Sequence, residues 1–173
     1  MTAQRLLSPD ALQVDAVAAF LLELNEAQNS IFCFEDRYTS SQRFVGADPS
    51  ADRLRLQAVG LGIMAMAPTI PCVFMGTEFF TAQNFTDNPE GLDWSFLNER
   101  EWGSMGRVSC SDRHGLYLLT CALMELRDEF PLHQMQFVVH WVDAERGLLT
   151  FSVEQGHSVL FAIVNLSTAS VEE

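Results

Sequence analysis

Basic residues are scarce in this chain: ten Lys and Arg stand against 23 Asp and Glu, for a formal net charge of −13. Nucleic acids and anionic membranes are gripped by cations that neutralise phosphates, so neither is an expected partner. A neutral polysaccharide is compatible with this charge, although the charge does not select it and simple solubility is the more usual reason for it. Cysteine is present only four times, as Cys33, Cys72, Cys110 and Cys121, and never as C-x-x-C. Two of the four fall inside apolar runs, where a free thiol behaves as a small hydrophobe. Reduced, structural cysteines point to an intracellular compartment. Long hydrophobic runs are missing as well. The longest, from about Val59 to Phe74, is broken by Pro68 and Pro71, so no transmembrane helix is expected. The first residues, Met1 to Leu7, lack an apolar h-region, and no secretory signal is expected.

Familiar catalytic and ligand spacings are also lacking. His114, His133, His140 and His157 are scattered, without the spacing of a zinc site. Asp87, Glu90 and Asp93 make a loose oxygen cluster that specifies no calcium site. There is no G-x-S-x-G, and Gly60-x-Gly62 lies in a helical stretch without the strand-turn context of a dinucleotide fingerprint. No metal or other cofactor is expected. Internal repeats and low-complexity segments are absent.

What is present is globular. The chain has 173 residues, 48% hydrophobic, with a mean hydropathy of +0.08. That length buries one sizeable core, or one small domain and part of another. Ser8-Pro9-Asp10 opens a first helix that reaches about Asn25. Ser30 to Phe34 is an unbroken apolar run of strand length, read as a fully buried parallel strand. A polar loop, 38–50, leads to a second helix over Asp52–Met66, whose Gly60 and Gly62 suit close packing. Pro68 and Pro71 then bracket a turn into a second buried strand, Cys72–Met75. Helix, strand, helix, strand is the rhythm of a parallel α/β fold.

A long connection runs from Gly76 to about Ser109, and such loops on α/β frames are commonly functional. Ser111-Asp112 caps a third helix that ends at Phe130 before Pro131. Beyond about Leu132 the pattern changes to three β-rich runs, Phe137–Val142, Gly147–Val153 and Ser158–Val164. Short turns at Asp143–Arg146 and Glu154–His157 separate them, so they read as an antiparallel meander.

The most specific stretch is Ile70-Pro71-Cys72-Val73-Phe74-Met75-Gly76-Thr77-Glu78-Phe79, followed by Leu92-Asp93-Trp94. It resembles the eighth-strand region of the α-amylase superfamily, glycoside hydrolase family 13, and within it the 1,4-α-glucan branching enzymes. Asp112-Arg113-His114-Gly115-Leu116 through Leu126-Arg127-Asp128-Glu129-Phe130-Pro131 resembles the helix that ends the barrel. His140-Trp141-Val142-Asp143, Leu149-Thr150-Phe151 and Val164-Asn165-Leu166-Ser167 resemble the first strands of the C-terminal domain.

The resemblance implies an α/β fold: the last part of a TIM (β/α)8 barrel over residues 1–132, with two parallel strands and flanking helices. The beginning of an antiparallel β-sandwich domain would follow over 133–173. It implies the C-terminal third of a cytoplasmic enzyme, or a plastid one made as a longer precursor, that transfers α-1,4-glucan segments to a 6-hydroxyl in glycogen or starch synthesis. Family members pair an aspartate nucleophile with a glutamate acid/base. Both come from earlier strands with no counterpart here, so the chain is expected to be inactive alone and to join the remainder of a longer chain or self-associate. A non-catalytic α-glucan-binding or homologue-interacting protein is the alternative, and a remnant without sugar function is a third reading.

A further family aspartate, preceded by histidine, binds the sugar at the reacting position. Here that place reads Phe34-Glu35-Asp36, which makes Asp36 the candidate transition-state-stabilising residue and replaces the histidine by Glu35. A neutral histidine can donate to a sugar hydroxyl, whereas an ionised glutamate only accepts. Glu35-Asp36 is equally readable as a solvated loop start. Glu78 is either a substrate acceptor or a brace for the glycine turn. Trp94 and Trp102 are candidates to stack on glucose, with core burial the alternative for Trp94.

Overall fold

The computed structural model describes residues 14–26, 30–35, 50–81, 91–92, 94 and 110–167. Ser8, Asp36, Asp87, Glu90, Asp93 and Trp102, singled out from the sequence, lie outside these residues.

The first helix, α1 (Val14–Glu26), buries Val14, Val17, Ala18 and Leu21, the i, i+3, i+4, i+7 stripe of an amphipathic helix. Strand β1 (Ile31–Cys33) follows, then helix α2 (Ala51–Met66) and strand β2 (Ile70–Cys72). Helix α2 starts at Ser50, whose hydroxyl accepts from the Arg53 amide at 3.3 Å. It stops at Ala67, which is extended at ψ 145°. The residue before a proline is driven out of helical geometry, and Pro68 comes next.

Strands β1 and β2 are parallel neighbours, paired Ile31 with Ile70, Phe32 with Pro71 and Cys33 with Cys72. The Ile70 amide donates to the Ser30 carbonyl at 2.9 Å. A helix between two parallel strands is the βαβ unit that the sequence pattern predicts. Two details differ from expectation. The second strand is Ile70–Cys72 rather than Cys72–Met75: Pro71, although it cannot donate, is tolerated on an edge strand, and the strand ends before Val73. Nor are the strands fully buried: Ile31 is 66% and Ile70 51% exposed. Among the described residues the sheet has only these two strands, and they show no barrel closure.

Helix α3 (Cys110–Glu129) packs on α2. It begins one residue before the Ser111-Asp112 cap read from the sequence, with Asp112 in its first turn. From its last turn, Arg127 reaches back to the α2–β2 corner. Its Nη1 donates to the Ala67 carbonyl at 3.0 Å and to the Ala65 carbonyl, while Nη2 donates to the Thr69 carbonyl at 2.6 Å. Those orphaned carbonyls thus share one guanidinium. Partial burial lowers the arginine's pKa, yet the group stays charged at any ordinary pH.

After a single 3-10 turn at Leu132–Gln134 come β3 (Gln136–Asp143), β4 (Leu148–Gln155) and β5 (Ser158–Asn165), an antiparallel sheet in the order β3-β4-β5. Asp143 accepts from the Arg146 amide at 2.9 Å in the first turn. The second is the two-residue turn Gly156-His157, with Gly156 at φ 61°. A bulge between Val139 and Trp141 leaves His140 unpaired in the ladder.

Phe137, Leu149, Phe151 and Val153 on one sheet face meet α1, and the buried core runs without a break from α1 and α2 across Leu132 into the sheet. Gly62 is not the close-packing position expected of it. A Cβ there would meet nothing within 4 Å.

Candidate functional site

The carboxyl ends of β1 and β2 lie side by side because the strands are parallel and in register. Beyond Cys33, Phe34 and Glu35 turn inward, and Glu35 is only 3% exposed. Beyond Cys72, the chain reaches a turn at Gly76 (φ 98°) and a short 3-10 helix, Thr77–Phe79. The positive φ explains the glycine, since a side chain there would be strained.

Three hydrogen bonds lock this corner. The Thr77 hydroxyl donates to Glu35 Oε2 at 2.6 Å, across 42 residues of sequence. The Gly76 amide donates to Glu78 Oε2 at 2.7 Å, so the Glu78 carboxylate braces the glycine turn. Gln57, fully buried on α2, donates through Nε2 to the Thr77 carbonyl. Phe80 closes the turn at φ 56°, a left-handed geometry uncommon for a bulky residue.

An aromatic arm extends from the same corner. Arg113, on α3, donates Nε–H to the Phe79 carbonyl at 3.0 Å and holds its guanidinium 5.5 Å from the Phe79 ring centre. The other neighbour of Phe79 is Trp94, with ring centroids 4.6 Å apart. Trp94 remains 41% exposed: it packs on Phe79 and still offers indole surface to solvent.

Of the candidates read from the sequence, Glu35, Glu78 and Trp94 therefore gather around the Gly76–Phe79 turn. Thr77, Gln57 and Arg113 organise the corner and were not singled out. The one signal for Gln57 was a lone amide beside Leu56 in an apolar helix. A retaining glycosidase needs one carboxylate free to attack and another to protonate. Here Glu35 is buried and accepts from Thr77, and Glu78 accepts from a backbone amide, so both carboxylates are already hydrogen-bonded within the corner.

A second polar cluster lies on the outer face of the three-stranded sheet. His140 Nε2 is 2.7 Å from Ser152 Oγ, and Ser152 in turn donates to Glu154 Oε1. The serine proton goes to the carboxylate, the reverse of a serine nucleophile activated by histidine. Ser152 is also fully buried. Among the described residues no group of three His, Cys, Asp or Glu is placed to hold a metal ion, and no helix is long and apolar enough to cross a membrane. Cys33, Cys72 and Cys121 are not in disulfides. Comparison with protein-family models and with curated proteins finds no match.

Proposed function

We propose that this chain is the C-terminal part of a 1,4-α-glucan branching enzyme-like protein, a cytoplasmic α-glucan-binding unit that is inactive by itself. In this reading β1 and β2 are the last two strands of a (β/α)8 barrel, and β3 to β5 begin a β-sandwich. The supporting observation is the parallel pairing of β1 and β2, which sets Glu35 beside the Gly76–Phe79 turn at the carboxyl ends of the strands. Barrel folds place their binding sites at that end. Asp36 follows Glu35 directly, and Trp94 offers a stacking surface next to the turn.

The glucan is a linear α-1,4 chain whose hydroxyls donate to carboxylates and whose ring faces lie on indole. Each exposed contact contributes about 1 kcal/mol net, so affinity is weak, on the order of millimolar. Maltoheptaose titrated against the whole chain should perturb amides near Glu35 and Thr77–Trp94. Asp36→Ala should weaken binding, and His157→Ala, in a distant hairpin, should not. Perturbations confined to β3–β5 would refute this site, and no binding at all would refute the glucan reading.

A further inference from the structure

We propose that Cys33 and Cys72 are a reversible thiol–disulfide pair, closed across β1 and β2 by a low-molecular-weight disulfide of the glutathione type. Neither residue is in a disulfide in the structure. They are direct partners in the parallel register, the last of the three pairs that join the two strands. Successive side chains of a strand point to opposite faces. Cys33 and Cys72 therefore leave the sheet on the face of Ile31 and Ile70, and Phe32 enters the core from the other. Cys110 and Cys121 lie apart from this pair, on α3.

The spacing decides what kind of bond this is. Neighbouring strands stand about 4.7–4.9 Å apart, within the span of about 4.4–6.8 Å that a disulfide bridges between Cα atoms. Its Cβ atoms must approach to about 3.5–4.5 Å, closer than two parallel side chains stand at that strand spacing. Closure therefore draws the strands together. Each strand is three residues long and ends on its cysteine, so the shift falls where the ladder stops. A disulfide held under strain is easily reduced, which suits a switch and not a permanent staple. Intracellular disulfides are commonly of that transient, redox-sensing kind.

Cys72 is exposed and Cys33 half-buried, which sets the order of events. The Cys72 thiolate attacks glutathione disulfide, forms a mixed disulfide and releases one glutathione thiolate. The Cys33 thiolate then attacks the Cys72 sulfur and expels the second glutathione. Two protein thiols are oxidised, one glutathione disulfide is reduced, and the two thiol protons end on the two glutathiones. The bond also touches the corner described above. Glu35 lies two residues beyond Cys33 and Gly76 four beyond Cys72, so closure fixes the spacing of the segments that the Thr77–Glu35 hydrogen bond joins. No sugar enters this argument, which rests on strand register alone.

The test equilibrates the full chain in mixtures of reduced and oxidised glutathione, then blocks remaining thiols with N-ethylmaleimide and maps the peptides by mass. Cys33 and Cys72 should be linked within one chain, with Cys110 and Cys121 carrying the maleimide, and excess reduced glutathione should reopen the link. Cys33→Ser and Cys72→Ser should each abolish it. Cys33→Ser should also leave glutathione on Cys72, because the thiol that expels it is gone. Cys110→Ser and Cys121→Ser should leave the link intact. Far-ultraviolet circular dichroism of the reduced variants, expected to match the parent, separates a lost link from a lost fold. The unsubstituted chain decides by itself. Glutathione that stays on Cys72, thiols still fully blocked at the most oxidising ratio, or a link to Cys110 or Cys121 would each overturn the proposal. So would a link between two chains, seen by non-reducing electrophoresis, or one that reduced glutathione fails to open.

Discussion

Replacing Arg127 by alanine should destabilise the chain more than its half-exposed position suggests. Its guanidinium serves the carbonyls of Ala65, Ala67 and Thr69, all three on residues that are almost completely buried. A hydrogen bond with a charged partner contributes about 1.5–3 kcal/mol, and a buried acceptor left unpaired costs about 1–3 kcal/mol. Three full terms cannot be added, because the arginine is partly solvated and loses side-chain entropy in the folded state. One well-formed bond plus one stranded carbonyl gives a loss of about 3–4 kcal/mol for Arg127→Ala. Arg127→Lys should cost about half as much, since an ammonium offers no planar fork to span three carbonyls. Urea unfolding followed by circular dichroism would measure both, with an unchanged m-value marking a stability effect alone. For a chain of this size the alanine variant should melt roughly 6–16 °C lower. A loss below about 1 kcal/mol would refute the argument that this contact holds the α2–β2 corner.

The buried bond between Thr77 and Glu35 should behave as a charge-assisted one. Thr77→Val should cost about 1.5–3 kcal/mol, and Glu35→Gln, which keeps an acceptor, clearly less; equal losses in urea unfolding would contradict that assignment. Tyr117 should titrate above its ordinary 10.0, chiefly because it is hydrogen-bonded to Cys121 and then because of that residue's charge. The folded state therefore favours the neutral phenol: this contribution to stability is complete below pH 10.0 and is lost as pH rises through the raised value. Ultraviolet titration checks it, and a midpoint that Cys121→Ala fails to move back toward 10.0 would exclude the cause.

Local features of the fold were legible wherever a short-range rule decides them. The parallel β1–α2–β2 unit follows from two apolar runs flanking a helix of suitable length, and the hairpins follow from Asp143 and from Gly156-His157. The start of β2 was misplaced by reading Pro71 only as a breaker, whereas an edge position tolerates it. Burial of β1 and β2 was overestimated for a different reason: an apolar run announces a core strand whether or not its neighbours are present. The site was less legible than the fold. Glu35 looks like any acidic loop residue until Thr77, far along the chain, supplies its partner. Arg127 reads as a cation suited to a helix end, and nothing local hints that it reaches the α2–β2 corner. Trp94 divided the two readings offered for it, packed on Phe79 and still exposed.

The packing of α1 against β3 and β4 has a consequence for how the protein is made. About 110 residues separate the end of α1 from the beginning of β3. At typical synthesis rates of about 5–20 residues per second, the apolar stripe of Val14, Val17, Ala18 and Leu21 leaves the ribosome roughly 5–20 seconds before its partner sheet exists. During that interval the part of the stripe that the sheet will cover is open to other apolar surfaces. Such long-range closure is slow even for a finished polypeptide. Yield in cells should therefore respond to translation speed and chaperone supply more than the final stability would suggest, and polar substitutions along the α1 stripe would raise early solubility while undermining the finished core.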